Sequence, residues 1–497
     1  MFQASPKSSA NILQGAGAIA SALLTVVLLV SGPTTAGATD LTVDQNDAGC
    51  DDVAGTPYCS ISAAVAAAVA DDVIMVRTGL YSENVDFNGK AITLQSESGP
   101  TATEINGQGG TTVVIGPNGQ IEGFLITGGV NTFGAGMAVN GAGSVIKGNI
   151  FDGNSEGGGG YGAGIGGNSA SPTIDGNVFR NNSCDSQFLS GVVSFINSSS
   201  PLVINNLFVN NNCRGLNMTL PASGQPQVLN NTFVGNPAGI YFDRRIAIAG
   251  QTYRNNIVFG NDTGIEVNFG DDTNNPVFED NDVFGNTVNY SGITDQTGAS
   301  QNFSADPLFA DSANDDYRLL PTSPAIDAAI AQQSVIEDIL SIARPIDGDG
   351  DTVPASDLGA YEASPPTANA GTDLTVNVGS AVTLDASASS DLDGTIASYG
   401  WTQTAGAAVT LNNAQSAAPS FTAPATAANL TFQLTVMDDL GFVATDEVAV
   451  AVVAPPAPPP PKKKKGGGTS GLAFLGLLLG IVAFRESNRR RPIAGSR

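Results

Sequence analysis

The chain repeats one pattern of polar and apolar positions six times. Each copy opens on Asn, passes through an apolar pair or near-pair and a small or polar residue, and closes on Asn. The copies span Asn149–Asn154, Asn177–Asn182, Asn206–Asn211, Asn231–Asn236, Asn256–Asn261 and Asn281–Asn286. Successive starts lie 28, 29, 25, 25 and 25 residues apart. A fixed period of this size marks stacked units. Each period holds three short apolar runs between turn residues. One reads Gly239-Ile240-Tyr241-Phe242, Gln251-Thr252-Tyr253, Ile257-Val258-Phe259; the next reads Gly264-Ile265-Glu266-Val267, Val277-Phe278, Val283-Phe284. Runs this short cannot be useful helices and read as strands. Pro172, Pro201, Pro226 and Pro276 each stand five residues before the first Asn of a copy. That place suits a loop-to-strand junction, where no ladder hydrogen bond is asked of proline.

Three strands per coil predict an all-β fold, a right-handed parallel β-helix over 39–302, each coil rising about 4.8 Å. Phe and Val columns then point inward. The paired Asn residues take the corners, where they tolerate left-handed backbone angles and can form amide ladders from coil to coil. Weaker copies lie upstream at Gly123–Gly128 and Ala91–Leu94. The stretch Asp72–Val85 resembles the first coil of pectin-lyase-like β-helix proteins. That resemblance implies a capping helix, Ile61 to Ala70, over an end that would otherwise be an unpaired edge.

Composition narrows the partners. The net charge is −26, and half of the 20 basic residues lie in the two ends. Between 39 and 454 there are 10 basic against 45 acidic residues. Nucleic acid is excluded as a partner by that balance, and a solvated acidic surface is expected. The absence of histidine removes Ser-His-Asp and Cys-His catalysis and ordinary zinc sites; no nucleotide cofactor is expected either. The single tryptophan, Trp401, reads as core. The four cysteines read as two disulfides. Cys184 and Cys213 share a register on adjacent coils, and Cys50 and Cys59 can close a small loop. Such pairing requires an oxidising compartment.

Residues 1–38 read as a signal peptide cut by signal peptidase near Ala38, with a retained anchor as the alternative. Residues 454–465 form a Pro/Lys linker. A tail, 466–497, follows: Gly466-Gly467-Gly468, an apolar helix within 471–484, and a basic end. The run Leu472–Phe484 makes about 20 Å of helix, short of a hydrocarbon core of roughly 30 Å. The tail resembles the GlyGly-CTERM tails of Gram-negative secreted proteins. The resemblance implies cleavage near Gly466, Gly467 and Gly468 by a rhombosortase-like protease; a permanent anchor is the alternative. Either way the chain is expected at the cell surface or outside the cell.

Two further modules precede the tail. In 303–362, the runs Asp306-Pro307-Leu308-Phe309, Asp316-Tyr317-Arg318-Leu319, Ser323-Pro324-Ala325-Ile326-Asp327-Ala328, Arg344-Pro345 and Asp357-Leu358-Gly359-Ala360-Tyr361-Glu362 resemble the choice-of-anchor Q domain. That family follows β-helices on exported surface proteins. Residues 363–453 resemble a PKD-like β-sandwich, through Ser389-Ser390-Asp391-Leu392-Asp393-Gly394, Tyr399-Gly400-Trp401 and Leu434-Thr435-Val436-Met437-Asp438. Alternating apolar residues support the same fold. Asp347, Asp349 and Asp351, with Asp357, make an EF-hand-like carboxylate spacing and the calcium candidate. Thr352 stands where an EF-hand has Gly, and a solvated acidic turn is the alternative.

For chemistry, Asp243, Arg244, Arg245 and Glu266 are the catalytic candidates, with Asp271-Asp272 nearby. Arginines beside carboxylates could bind uronates or abstract a proton. The set matches no lyase motif, and an acidic surface repels an acidic polymer. The expected function is therefore binding or display by a monomer, toward extracellular polysaccharide or cell-surface glycan or protein. The alternative is a calcium-dependent polysaccharide lyase, or a hydrolase.

Overall fold

The computed structural model describes residues 40–53, 57–185, 190–219, 224–243, 251–268 and 276–455. The signal peptide with Ala38, and the tail with Gly466, Gly467, Gly468 and its helix, lie outside the described residues.

Three long parallel sheets wrap one core, with a short three-stranded parallel sheet (Val130–Phe133, Ser155–Tyr161, Ser183–Cys184) beside them. Sheet I has ten strands, from Asp40–Val43 to Val277–Glu279; sheet II has nine, from Gly79–Tyr81 to Asp282–Phe284; sheet III has nine, from Val85–Asp86 to Val288–Ser291. The solenoid is right-handed, as the three-strand period predicts. Register follows the sequence period: Phe208 pairs with Phe233, Ile240 with Ile265, and Tyr253 with Phe278. Inside sheet II, the rings of Phe151, Phe179, Phe208 and Phe233 stack at centroid distances of 4.9, 4.7 and 4.6 Å. Those distances are the spacing of the strands that carry them.

Both Asn positions of the repeat build buried ladders. Asn206 donates through Nδ2 to Asn231 Oδ1 (3.0 Å), to Ile174 O of the preceding coil (2.9 Å) and to Ile204 O (2.8 Å). The second ladder runs Asn154, Asn182, Asn211, Asn236, Asn261, Asn286 in the same way. The first continues past the six copies to Asn302. The left-handed backbone angle falls elsewhere than expected. It is taken by the residue before each ladder Asn: Gly148, Gly176, Asn205, Asn230, Asn255 and Asp280 at one corner, and Gly153, Asn181, Asn210, Gly235, Gly260 and Gly285 at the other. One residue turns the chain, and the next ties the coils.

The capping helix is Ile61–Ala67, shorter than the run to Ala70. The Glu83 carboxylate accepts from Ile61 N (2.8 Å) and Ser62 N (2.9 Å) at its start. Lys90 Nζ donates to the carbonyls of Val65, Ala66 and Ala68 at its end. An acid at the N-terminus and a cation at the C-terminus match the helix dipole, and the three carbonyls held by Lys90 stop it early. The strand Asp40–Val43, unforeseen in the sequence, precedes the helix and starts sheet I. Both disulfides form, Cys50–Cys59 and Cys184–Cys213.

Residues 303–362 do not stand apart as a separate compact unit. They lie along the outside of sheet II, covering Leu207, Val209, Val234, Ile257 and Phe259 with Tyr317, Leu319, Ile326 and Leu358. Three corner residues on successive coils hold them: Asn205 donates to Glu337 O (2.9 Å), Asn230 to Asp357 O (2.9 Å) and Asn255 to Ile330 O (2.8 Å). At the corresponding corners upstream stand Gly148 and Gly176, which have no side chain to offer. The sandwich beyond has a four-stranded and a two-stranded sheet, with Trp401 buried in its core as expected. Arg318 ties it to the flank, pairing with Asp316 and Asp439 and donating to Asp393 O. No described helix is long and apolar enough to cross a membrane.

Candidate functional site on sheet III

Four strands of sheet III, Gly191–Ile196, Arg214–Thr219, Ala238–Asp243 and Thr263–Asn268, run to six residues, and they carry Asp243 and Glu266 of the expected catalytic set. Their inward positions (Leu216, Met218, Ile240, Phe242, Ile265, Val267) belong to the solenoid core. The positions between them therefore face out. In register these are Ser194, Asn217, Tyr241, Glu266 and Ser291, and beside them Thr219, Asp243 and Asn268. Ser194, Asn217, Thr219, Tyr241 and Asp243 are buried all the same. A polar row, unlike the apolar outer face of sheet II, is thus enclosed on this side.

Among the described residues one cation, Arg214, organises it. The Arg214 guanidinium lies 3.7 Å over the Tyr241 ring and reaches past that coil to Glu266. Nε and Nη2 donate to Glu266 Oε2 at 3.2 and 3.1 Å, and Nη2 also to Oε1 at 3.2 Å. The arginine side chain is 11% exposed and the glutamate 31%. A partly sheltered, multiply bonded pair above an aromatic face is firmer than a surface ion pair. Burial pushes the Tyr241 hydroxyl upward, against the lowering effect of its hydrogen bond with the Asn268 side chain. It therefore stays neutral and hydrogen-bonding across the physiological range.

Of the expected set, Asp243 and Glu266 share this face, with Asp243 in register with Asn268, two residues past Glu266. Arg244, Arg245, Asp271 and Asp272 lie outside the described residues. Arg214 is not legible in the sequence as a partner of Glu266, because it stands 52 residues away, two periods rather than one.

The calcium candidates separate. Asp347 and Asp349 come together with Asp327, their carboxylate oxygens within 4.8 Å of one another. Asp351 instead accepts from Val353 N (2.7 Å), and the buried Asp357 accepts from Asp327 N (2.7 Å) and Ala363 N (2.5 Å). Three carboxylates suit a hard cation by donor type. The loop is also satisfied by its own amides, since Asp327 accepts from Gly348, Asp349 and Ala355, and Asp347 from Gly350 and Thr352. The cluster belongs to the sheet II flank, not to the polar row.

Comparison with known proteins agrees with this anatomy. A family model for the right-handed β-helix region matches residues 84–247, and one for a PKD domain matches 370–452. Among solved structures, the PKD domain from KIAA 1837 protein is 35% identical, covering 18% of this chain and 90% of that one, with a TM-score of 0.17. A nucleoside hydrolase-related hypothetical protein from Saccharophagus degradans, associated with carbohydrate metabolism, is 28% identical over 18% of this chain and 25% of its own, with a TM-score of 0.17. A pectin methylesterase mutant in complex with a hexasaccharide is 12% identical, covering 63% of this chain and 98% of that one, with a TM-score of 0.31. No curated protein matches the chain. With the solenoid in the structure and residues 370–452 belonging to the PKD family, the chain is a right-handed β-helix protein that carries a PKD domain.

Proposed function

We propose that this is an exported cell-surface protein that binds extracellular glycan on the outer face of sheet III. Its disulfides and domain types fit an extracellular setting. Signal peptidase would free the N-terminus at Ala38, and a rhombosortase-like protease would process the tail at Gly466–Gly468.

The observation that carries the binding reading is the state of Arg214. A general base must be free to take a proton; Arg214, locked onto Glu266 and stacked on Tyr241, is not such a base, and Arg244 and Arg245 lie outside the described residues. At the rim of the enclosed row, Glu266 held by Arg214 and the half-buried Asn268 and Ser291 offer donors and acceptors for a polar ligand. The rival reading, a calcium-dependent lyase or a hydrolase, draws on Asp243 and Glu266, two carboxylates on the same face. A glycan array probed with the secreted protein and with Arg214→Met tests the assignment. Signals on a defined glycan class that fall at least about ten-fold in the variant, with unchanged circular dichroism, support it. Equal signals from both proteins would remove sheet III from the binding surface.

A further inference from the structure

The β-sandwich carries charge of one sign, unevenly spread. Residues 363–453 include eight acidic side chains and no basic one. The run from Gly394 to Met437 holds no charge at all, although 13% of the chain's residues are charged. That run supplies Ile396–Ala405 and nearly all of Ala428–Asp438, two neighbouring strands of the four-stranded sheet. Val443–Val453 lies on the other side of Ala428–Asp438. Leu430, Phe432, Leu434 and Val436 point into the core, so the residues between them face out. Register lines these outward positions up in rows across the three strands. One row is Gly400, Thr435 and Thr445, and the next is Thr402, Gln433 and Glu447. Thr402 and Thr445 are exposed, and Gln433 and Thr435 half-buried. Glu447 is the one charge on these rows.

The sandwich meets the rest of the protein through a different part. Phe442 belongs to the flank's apolar cluster with Leu319 and Ala325, and Arg318 holds Asp439. Met437 and Val443, next to that joint, stay 40% and 54% exposed. The outer face of the sheet is therefore open in the full chain.

We propose that this face is a docking surface for extended neutral polysaccharide. Threonine sets a hydroxyl beside a methyl group, as a sugar ring sets hydroxyls beside C–H groups, and Gln433 adds an amide that both donates and accepts. Charge matching selects the partner. Eight acids with no cation among them repel a uronate polymer, whereas a neutral glycan meets a face that costs it no charge to approach. The large aromatic and Arg anchors of protein interfaces are missing from the rows. A hydrogen bond between neutral groups has small net worth, so retention comes from many contacts along one polymer, and a short oligosaccharide is not held. That requirement separates this surface from sheet III, on which it does not depend.

Sedimentation of the secreted protein with insoluble cellulose, β-1,3-glucan and chitin, with pectate-coated beads as the anionic comparison, tests the assignment. The wild type and Arg214→Met are expected to be retained alike on at least one neutral polymer and not on pectate. Thr402→Asp combined with Thr435→Asp puts two charges on the face and should lower retention at least about ten-fold, with unchanged circular dichroism. If that variant does not fold, Gln433→Ala with Thr445→Ala removes side-chain hydrogen-bonding groups without adding charge and should lower retention several-fold. Equal retention of the wild type and the folded variant, or no retention on any neutral polymer, would overturn the proposal. Loss in Arg214→Met alone would overturn it and place retention on sheet III. Protease-sensitive binding to whole cells, with no polymer retained, would overturn it in favour of a protein partner.

Discussion

Replacing Asn231 by Ala should cost far more than a polar-to-apolar change on a strand normally does. Asn231 is fully buried. Its Nδ2 donates to Val203 O (2.9 Å), Leu229 O (3.0 Å) and Asn256 Oδ1 (3.1 Å), and its Oδ1 accepts from Asn206 N (2.9 Å) and Asn206 Nδ2 (3.0 Å). Five bonds vanish with the amide, each worth about 1 kcal/mol net. The Asn206 backbone N–H loses its partner inside the protein, which alone costs about 1–3 kcal/mol. Bonds in one network do not add fully, so a loss of about 3–5 kcal/mol is expected. Because each coil touches only its neighbours, the damage should concentrate in the coils on either side. Urea unfolding gives the total, and hydrogen exchange over 203–206 and 254–256 locates it. A loss below about 1 kcal/mol, or exchange that quickens equally in every coil, would refute the ladder as the element that ties coils together.

Other consequences are as specific. Asp282 stands fully buried on the last sheet II strand; burial raises it to about 7, with Asp306 as its charged neighbour. Its contribution is complete below about pH 4 and gone above about pH 7, so Asp282→Asn should stabilise the protein at pH 8 by on the order of 2–4 kcal/mol and do little at pH 4, as thermal melts across pH would show. Replacing both Cys184 and Cys213 by Ser opens a loop closed over 29 residues; chain entropy puts the cost at about 3–4 kcal/mol, read from urea midpoints under oxidising conditions.

The solenoid was legible because every coil must present the same inward residues and the same corner chemistry. Phe151, Phe179, Phe208 and Phe233 repeat in sequence because they touch in space. The left-handed turn falls one residue before the repeated Asn, at a position shared by Gly, Asn and Asp, so no fixed letter marks it in the sequence. The docked flank left a signal that went unread. Ile150-Phe151-Asp152 and Val178-Phe179-Arg180 end on a charge, whereas Leu207-Phe208-Val209 and Ile257-Val258-Phe259 are apolar on both faces. A strand apolar on both faces must be covered twice, and residues 303–362 supply the second cover. The site was harder. Glu266 and Asp243 could be placed by register, but Arg214 reaches over an intervening coil, and side-chain reach is not written in a repeat. Asp327 joins Asp347 and Asp349 from 20 residues upstream, beyond what the spacing of a local motif can show.

The central claim, that the sheet III face binds rather than cleaves, is tested most directly by product formation. The secreted protein is incubated with pectate, alginate and other uronate polymers, with and without calcium, while absorbance of unsaturated ends near 235 nm and reducing sugars are followed together. The account predicts neither product on any polymer. Calcium-dependent absorbance, or reducing ends that disappear in Glu266→Gln and Asp243→Asn, would contradict it and make the polar row a catalytic centre.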